Sequence, residues 1–335
     1  MNTKRSLIYR VDGGTRLGMG HIQRAAVLGA ELQGDFDIRF YVREDDTGFR
    51  YLKNAGFDTL RIPQDMHKEE EANMLSAPVI LVDILDTRKS YMAALKGRDS
   101  RLVTFENQGP GAAVAEIVIN AMVEGPENRD YVFNGTRYLK GARYKILSPD
   151  FDNTFPKKKK NGTLEVVVTL GGGDVTGILP KVLRSIAEIK KDIHVTAIAG
   201  PAHKEFGGLK RELKGISERI DLFKEVSNMA ELLSRADVAI TAGGGTLYEI
   251  AFLGVPGIVI CQCDHQQQNA ARFEKKGTVI NLGYASKVTS TAVQEALSDL
   301  LEDPEKRKEM SEKGKDLIDG QGRERVTGII KESDA

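Results

Sequence analysis

Short, continuous runs of Val, Ile and Leu recur along the chain, and longer segments with helical spacing of apolar residues lie between them. Continuous apolar runs are typical of parallel strands that helices cover on both faces. We expect strands of this kind at 6–11, 36–42, 78–84, 101–106, 115–121, 164–171, 194–200, 219–224, 237–243, 257–263 and 278–283. The alternation of strand and helix therefore predicts an α/β protein with doubly wound parallel sheets.

One segment near the middle of the chain has no periodic apolar face. It reads SPDFDNTFPKKKKNGT, residues 148–163, and contains two prolines and a run of four lysines. We expect it to link an N-terminal Rossmann-like domain at 1–150 to a C-terminal one at 163–320, followed by a charged helix at 320–335. Doubly wound sheets bind ligands outside the carboxyl ends of their strands, so the two domains are expected to face each other across a ligand-binding cleft.

Composition argues against several classes of protein. The chain has 48 basic and 48 acidic residues, so a polyanionic partner such as nucleic acid is not expected. No apolar run approaches the length of about 18 residues that a membrane helix needs, and the N-terminus lacks a signal-peptide core. Cys261 and Cys263 share one strand face and cannot pair. We expect a soluble cytoplasmic protein with no membrane span, disulfide or metal site, and the sequence leaves its oligomeric state open.

Three glycine-rich segments each follow a predicted strand: DGGTRLGMGH (12–21), LGGGDVTG (170–177) and AGGGTLYE (242–249). Glycine lets backbone N–H groups approach an anion closely, and the start of the next helix adds a positive dipole end. A phosphate or diphosphate ligand is therefore expected. Candidate residues for binding it are Gly20, Gly172, Gly173, Gly244, Gly245 and Thr246.

Two familiar phosphate motifs fail on detail. The dinucleotide fingerprint needs Gly-x-Gly-x-x-Gly, but Gln23 stands where the third glycine belongs in the first segment. The ATP-binding loop needs Gly-Lys-Ser/Thr, and Gly314-Lys315 is followed by Asp316. Neither NAD nor a P-loop nucleotide is therefore expected as a cofactor.

Several polar side chains accompany the glycine-rich segments. His21 begins a predicted helix, and a neutral imidazole there can act as a general base. Asp12 can orient that histidine or contact a sugar hydroxyl. Glu249 can accept hydrogen bonds from two ribose hydroxyls, although Thr-x-x-Glu is also the spacing of a helix capping box. Gln268 and Asn269 follow the next strand and can contact a base or phosphate, or merely cap a helix.

With these residues, the chain resembles the UDP-sugar hydrolases of the pseudaminic-acid pathway and their spore-coat-polysaccharide relatives, within the GT-B superfamily. The likeness covers roughly residues 5–285. Its segments are YRVDGGTRLGMGHIQR (9–24), TLGGGD (169–174), ITAGGGTLYEIAFLGVPGIVI (240–260) and QQNAARFEKKG (267–277). The resemblance implies the GT-B fold, with a nucleotide-sugar, typically a UDP-sugar, between two Rossmann-like domains and no cofactor or required metal.

By position, the resemblance makes His21 the catalytic histidine that activates water and Asp12 a residue near the sugar. Gly172, Gly244 and Gly245 fall on diphosphate-binding turns, Glu249 resembles the ribose-binding glutamate, and Asn269 an asparagine near sugar or phosphate. Part of the N-terminal domain departs from the family. Ile84, Leu85 and Asp86 stand where a tyrosine is expected, and Glu106-Asn107 stands where paired aspartates are expected.

Three hypotheses for the function follow. The first is a hydrolase that cleaves the anomeric C–O bond of a UDP-sugar with inversion and releases a free amino or deoxy sugar for surface polysaccharide or nonulosonic acid biosynthesis. The second is a GT-B glycosyltransferase that passes the same sugar to a sugar, polyol or lipid-linked acceptor. The third is a nucleotide-sugar binding protein without turnover. The resemblance favours the hydrolase, whereas the residues scarcely separate it from the glycosyltransferase and leave the sugar and the acceptor open.

Overall fold

A computed structural model describes most of the 335-residue chain, namely residues 4–14, 18–43, 46–97, 99–123, 129–154, 162–171, 174–200, 203, 205–226 and 228–332. The chain divides into an N-terminal unit, Met1–Pro149 with Gly320–Ala335, and a C-terminal unit, Asp150–Asp319. The predicted linker, 148–163, contains the point at which the chain first passes from the N-terminal unit to the C-terminal unit. Its residues 155–161, which include the lysine run, lie outside the described residues.

The strands are β1 (Arg5–Val11), β2 (Phe36–Val42), β3 (Asp58–Arg61), β4 (Val79–Asp83), β5 (Arg101–Phe105), β6 (Ile117–Asn120), β7 (Tyr131–Phe133), β8 (Thr136–Lys140), β9 (Leu164–Thr169), β10 (Ile193–Ile198), β11 (Ile220–Phe223), β12 (Val238–Thr241), β13 (Gly257–Cys261) and β14 (Val279–Tyr284). The helices are α1 (Gly20–Leu32), α2 (Asp46–Asn54), α3 (Lys68–Met74), α4 (Lys89–Lys96), α5 (Leu179–Ala187), α6 (Phe206–Ile216), α7 (Met229–Ser234), α8 (Thr246–Leu253), α9 (Asp264–Lys275), α10 (Ser290–Glu302), α11 (Pro304–Leu317) and α12 (Gly322–Lys331). Within the described ranges, no helix combines the length and apolar character that crossing a membrane would require.

The N-terminal unit is built on one sheet with the strand order β3-β2-β1-β4-β5-β6-β8-β7. All neighbouring strands are parallel except β7, which pairs antiparallel with β8. Alternate residues of the central strands enter different cores: Leu7 and Tyr9 pack on the face that α1 covers, and Ile8 packs on the opposite face with Tyr91 of α4. Burial on both faces is why these strands contain continuous apolar runs.

The last helix of the chain packs on the N-terminal unit. Val326 and Ile330 of α12 are fully buried in the core beside α1. Gly322 passes so close to Lys145 that a Cβ atom there would lie 2.1 Å from its carbonyl oxygen. Arg101 of β5 donates to the carbonyl oxygens of Ile329 and Ile330 at 3.0 and 3.4 Å, which satisfies acceptors at the end of the helix.

The C-terminal unit contains a six-stranded parallel sheet with the order β11-β10-β9-β12-β13-β14. The first strand lies at the centre, and the chain winds outward to one side and then to the other, as it does in the N-terminal sheet. The order therefore reverses between β1 and β4 in one unit and between β9 and β12 in the other. Both units are doubly wound, as the apolar pattern predicts.

Every strand predicted from the sequence is confirmed, within two residues at each end. Three strands were missed: β3, β7 and β8. They lie at or next to the two edges of the N-terminal sheet, and β7 is exposed along its whole length. Because an edge strand is only partly covered, it carries no continuous apolar run for the pattern to detect.

Candidate functional site

The carboxyl ends of β1 and β4 lie side by side where the strand order of the N-terminal sheet reverses. Val11, the last residue of β1, pairs in register with Asp83, the last residue of β4. The chain then turns from β1 into α1, which begins at Gly20 and carries His21. Ligands of doubly wound sheets bind at this reversal, so His21 and Asp83 lie at the expected position for a site.

His21 and Asp83 form a hydrogen-bonded pair. Nδ1 of the imidazole lies 2.6 Å from Oδ1 of the carboxylate; the Asp83 side chain is fully buried, and the His21 side chain is 16% exposed. An ionised carboxylate can only accept, so Nδ1 carries the hydrogen and Nε2 keeps its lone pair. Nε2 is therefore the atom that can remove a proton from a hydroxyl group.

Arg24, one turn further along α1, clamps the same carboxylate. Its Nε and Nη2 donate to the two oxygens of Asp83 at 2.8 and 2.6 Å. Its Nη1 lies 3.1 Å from Oε1 of Glu106, which follows β5. The hydroxyl of the fully buried Tyr9 also donates to Asp83, at 3.3 Å. These contacts leave Asp83 little freedom to turn, which fixes the orientation of His21.

The charges of this cluster follow from its contacts. Burial disfavours the ionised form of Asp83, but the charges of Arg24 and His21 outweigh it and hold the pKa of Asp83 well below its usual range. Burial also opposes ionisation of Glu106, and Arg24 again prevails, so the pKa of Glu106 is lowered. Burial and the neighbouring Asp83 raise the pKa of Tyr9 well above its ordinary value. At neutral pH the site holds two carboxylates, one guanidinium and a neutral tyrosine.

The prediction that Asp12 orients His21 is wrong, because Asp83 does so. The carboxylate of Asp12 binds the fully buried Arg10 through both oxygens, at 2.6 and 2.7 Å, and accepts the backbone N–H of Arg43 at 2.9 Å. Burial opposes its charge, but Arg10 prevails and lowers the pKa of Asp12, which makes it a weak base. A contact between Asp12 and a sugar hydroxyl stays a prediction.

The glycine-rich segment before α1 is only partly described, since residues 15–17 lie outside the described part of the chain. Gly18 has a φ of +83°, and its carbonyl oxygen accepts the N–H of Gly14 at 2.9 Å. Gly20 is exposed, and a Cβ atom there would meet no described atom within 4 Å. The start of α1 is therefore open, and phosphate binding by Gly20 stays a prediction.

The glycine turn between β12 and α8 contains one glycine that packing requires and two that it does not. A Cβ atom on Gly243 would lie 2.3 Å from the carbonyl oxygen of Gln266, so only glycine fits. At Gly244 and Gly245 a Cβ atom would meet no described atom within 4 Å, and neither residue has a left-handed φ. Side chains would fit there without a ligand, so these two glycines keep the start of the helix open.

Thr246 is the first residue of α8, and Gly245 occupies the cap position before it. The alternative in which Thr246 caps the helix in a box with Glu249 therefore does not describe this turn. Glu249 lies half-buried in the first turn of α8. Its proposed contact with a ribose stays a prediction, as does the diphosphate contact of Thr246.

The glycine turn between β9 and α5, also in the C-terminal unit, is arranged differently from the turn before α8. Gly172 and Gly173 lie outside the described residues. Asp174 has a φ of +43°, and its carboxylate accepts the N–H groups of Ile178 and Leu179 at 3.0 and 2.7 Å. The start of α5 is thus occupied by a side chain of the same turn. A phosphate is not needed there, so of the two helices that follow glycine turns in this unit, α8 is the one whose start is open among the described residues.

Asn269 supports the turn before α8. Its Nδ2 donates to the carbonyl oxygen of Gly243 at 2.9 Å, and its Oδ1 accepts the hydroxyl of Tyr248 at 3.3 Å. The residue is buried, so its visible role is to hold the turn, and contact with a ligand stays a prediction. Gln268 is exposed on α9, and its contact with a ligand is likewise a prediction. Among the described residues, no group of three or more His, Cys, Asp or Glu side chains is placed to hold a metal ion.

Sequence reasoning predicted His21 but missed its partners. Arg24 lies one turn from His21 on α1, but Asp83 and Glu106 lie dozens of residues further along the chain, and only the pairing of β1, β4 and β5 brings them to His21. One signal was present: Asp83 is a carboxylate at the end of the buried run PVILV, and a charge there needs a partner.

Comparison with known proteins agrees with this architecture. Residues 166–325 match the model of the Glycosyltransferase family 28 C-terminal domain. The chain is 29% identical to the spore coat polysaccharide biosynthesis protein SpsG of Bacillus subtilis, over 96% of each chain. It is 30% identical to a UDP-N-acetylglucosamine–N-acetylmuramyl-(pentapeptide) pyrophosphoryl-undecaprenol N-acetylglucosamine transferase of Carboxydothermus hydrogenoformans, over 53% of this chain and 50% of that protein. The crystal structure of Acinetobacter baumannii MurG superposes with a TM-score of 0.76 at 14% identity, covering 98% of this chain and 99% of MurG.

Two doubly wound units with this similarity to MurG define a GT-B fold. More particularly, the match to the Glycosyltransferase family 28 C-terminal domain covers most of the C-terminal unit, and the chain is similar over most of its length to a spore coat polysaccharide biosynthesis protein. The predicted resemblance to spore-coat-polysaccharide relatives and to the GT-B superfamily is thereby confirmed.

Proposed function

We propose that this protein is a glycosyltransferase that moves a sugar from a nucleotide-sugar, a UDP-sugar in our assignment, to the hydroxyl group of an acceptor. The observation that carries the proposal is the His21–Asp83 pair in one unit, combined with a family 28 domain in the other. Such a pair is a base for a hydroxyl, and the relatives that are similar to part of this chain include an N-acetylglucosamine transferase. The comparisons support this hypothesis better than the hydrolase favoured by the sequence alone.

The C-terminal unit has the features needed to bind the donor. The open start of α8, at Gly244 and Gly245, offers backbone N–H groups and the positive end of the helix dipole to a diphosphate. Glu249, in the first turn, is assigned to the ribose hydroxyls. The same N–H groups stabilise the charge that develops on the diphosphate as it leaves.

The N-terminal unit supplies the base. Nε2 of His21 takes the proton of the acceptor hydroxyl while its oxygen forms a bond to the anomeric carbon of the sugar. The bond from that carbon to the diphosphate breaks, and the nucleoside diphosphate leaves with the bonding electrons. Asp83 stabilises the resulting imidazolium. A single displacement of this kind inverts the anomeric configuration, and this scheme uses only residues of the chain.

The similarity to SpsG supports a place in surface polysaccharide biosynthesis. In this scheme the acceptor is a sugar, polyol or lipid-linked saccharide. Water in place of the acceptor would make the same residues a hydrolase, so the identity of the attacking hydroxyl is the point to test.

The test is UDP release from a panel of UDP-sugars, with and without candidate acceptors, followed by NMR of the anomeric proton. The proposal expects release that depends on an acceptor and a glycoside of inverted configuration. Steady release of a free inverted sugar without acceptor would identify a hydrolase instead, and UDP binding without turnover in any mixture would favour a binding protein.

A pair of histidine variants sharpens this test. His21→Gln is expected to lower turnover by about 10²- to 10⁴-fold. His194→Gln removes a partly exposed histidine on β10 of the other unit and should leave turnover unchanged. Equal activity of the His21 variant and the wild-type protein would refute the assigned base.

A further inference from the structure

Glu106 has a backbone conformation that glutamate rarely adopts. Its φ is +50°, in the left-handed region, and among the described residues only Asn134 and Asp174 share this feature without being glycine. Asn134 lies in the turn between β7 and β8, and Asp174 holds the start of α5. Glu106 neither forms a hairpin turn nor caps a helix, so its strained conformation needs another explanation.

The backbone of Glu106 is held in place by the neighbouring strand β6. Its N–H donates to the carbonyl oxygen of Ile119 on β6 at 2.8 Å. Its carboxylate then meets Nη1 of Arg24 at 3.1 Å, and its side chain is 18% exposed. A glycine would relieve the backbone strain at this position but would supply no carboxylate, so the side chain points to a role that offsets the strain.

The role follows from the charges around His21. Asp83 stabilises a protonated imidazole only if its negative charge is not cancelled, yet Arg24 binds both of its oxygens. The guanidinium alone would neutralise Asp83 and disfavour a second positive charge on His21, since Nη2 lies only 2.9 Å from Nδ1. Glu106 supplies a second carboxylate to the same guanidinium and restores one net negative charge to the cluster.

The groups facing this cluster come from four elements. Tyr9 of β1 donates to Asp83, and the guanidinium of Arg24 lies over the ring of Phe105, 5.3 Å from its centroid. Lys145, after β8, acts on Glu106 electrostatically and favours its ionised form. Apart from Arg24 itself, only Lys145 among these groups carries a formal charge, and that charge is positive, so Glu106 supplies the second carboxylate beside Arg24.

We propose that Glu106 is a positioning residue that acts on His21 through Arg24: by neutralising the guanidinium, it leaves the charge of Asp83 available to the imidazole at the moment of proton transfer. This inference rests on the proposed function for its catalytic consequence. Its electrostatic part concerns the chain alone and can be tested without any substrate.

Three variants separate charge from conformation. Glu106→Gln removes the charge and keeps the shape, Glu106→Gly removes the charge and relieves the backbone, and Glu106→Asp keeps the charge on a shorter stem. Asp58→Asn, at an exposed ion pair with Arg39 in the same unit, is the matched control. NMR of the labelled imidazole gives the pH at which His21 gains its proton, and turnover as a function of pH gives kcat and KM.

We expect the His21 titration midpoint to move to lower pH by about half a unit or more in Glu106→Gln and Glu106→Gly, and to recover in Glu106→Asp. We expect kcat to fall about tenfold in the two neutral variants, with KM for the donor within about twofold. An unchanged His21 midpoint in Glu106→Gln would overturn the inference even if no substrate is turned over. A shifted midpoint with unchanged kcat would overturn its catalytic part, whereas failure of the wild-type protein to turn over any donor would count against the proposed function only.

Discussion

Replacing Asp83 with asparagine is the sharpest perturbation of the proposed site, because the two side chains have the same shape and differ in charge and in one hydrogen-bond donor. In the wild-type protein Oδ1 faces His21 and Nη2 of Arg24, and Oδ2 faces Nε of Arg24 and the Tyr9 hydroxyl. Whichever way the new amide turns, its NH₂ group points at an N–H of Arg24. One orientation also presents that NH₂ to Nδ1 of His21, which moves the imidazole hydrogen to Nε2 and removes the base.

The size of the effect follows from complete burial. The Asp83 side chain has no exposed surface, and Arg24 keeps only Glu106 as a charged partner within 4 Å in the variant. Removing one member of a buried ion pair costs about 3–5 kcal/mol, and because Glu106 remains we expect about 3 kcal/mol. Turnover by the folded variant should fall by about 10³- to 10⁴-fold, through loss of both the negative charge and the correct tautomer.

Urea unfolding followed by circular dichroism measures the loss of stability. Acceptor-dependent UDP release, measured without urea on protein that circular dichroism shows to be folded, gives the loss of turnover. Asp58→Asn, which loses an exposed pair with Arg39, should change stability by less than about 1 kcal/mol and leave turnover intact. If Asp83→Asn is as stable as the control and its kcat lies within threefold of the wild-type value, the charge argument for this site is wrong.

Three further predictions concern both units. Glu249→Ala should weaken UDP binding about tenfold or more by calorimetry, whereas His21→Ala should leave it unchanged; equal loss in both would contradict the assignment of donor and base. Burial opposes protonation of His194, but hydrogen bonds from its imidazole to Glu165 and Asp221 prevail and raise its pKa. The protonated imidazole therefore stabilises the fold at pH values below its unfolded-state pKa of about 6.5, and this stabilisation is lost as pH rises through the higher folded-state pKa. In His194→Gln the urea midpoint should accordingly decline less over that pH range. Arg101→Ala should destabilise the N-terminal unit by about 2 kcal/mol, because carbonyl groups at the end of α12 lose a charged donor. Hydrogen exchange measures this: relative to the wild-type protein, the variant should exchange faster in α12 than in the C-terminal unit. An equal change in both units would contradict the prediction.

The apolar pattern of the sequence predicted the doubly wound architecture because buried parallel strands need continuous apolar runs, and such runs are local features. It missed β3, β7 and β8, since these strands pack at the edges of a sheet and need fewer apolar residues. It also treated 320–335 as a helix of its own, while the structure assigns this segment to the N-terminal unit through Arg101 and the close approach of Gly322 to Lys145.

The glycine segments indicated a phosphate ligand, but their sequences do not distinguish the two turns of the C-terminal unit. The distinction depends on where one carboxylate lies. Asp174 folds back onto the N–H groups of Ile178 and Leu179, while no side chain caps α8 at Gly245. Whether a helix start is open is a property of local three-dimensional geometry, and a glycine count does not contain it.

By itself the sequence determined the two parallel sheets and the glycine turns that follow their strands, and it predicted His21 as the base, because each of these depends on residues close together in the chain. The tertiary structure alone decided which carboxylate serves His21. Asp12 lies nine residues from it and binds Arg10, whereas Asp83 lies 62 residues away and reaches it through the parallel register of β1 and β4. Charges pair with whatever lies nearest in space, and in a parallel sheet the nearest neighbours at the carboxyl ends come from distant parts of the chain.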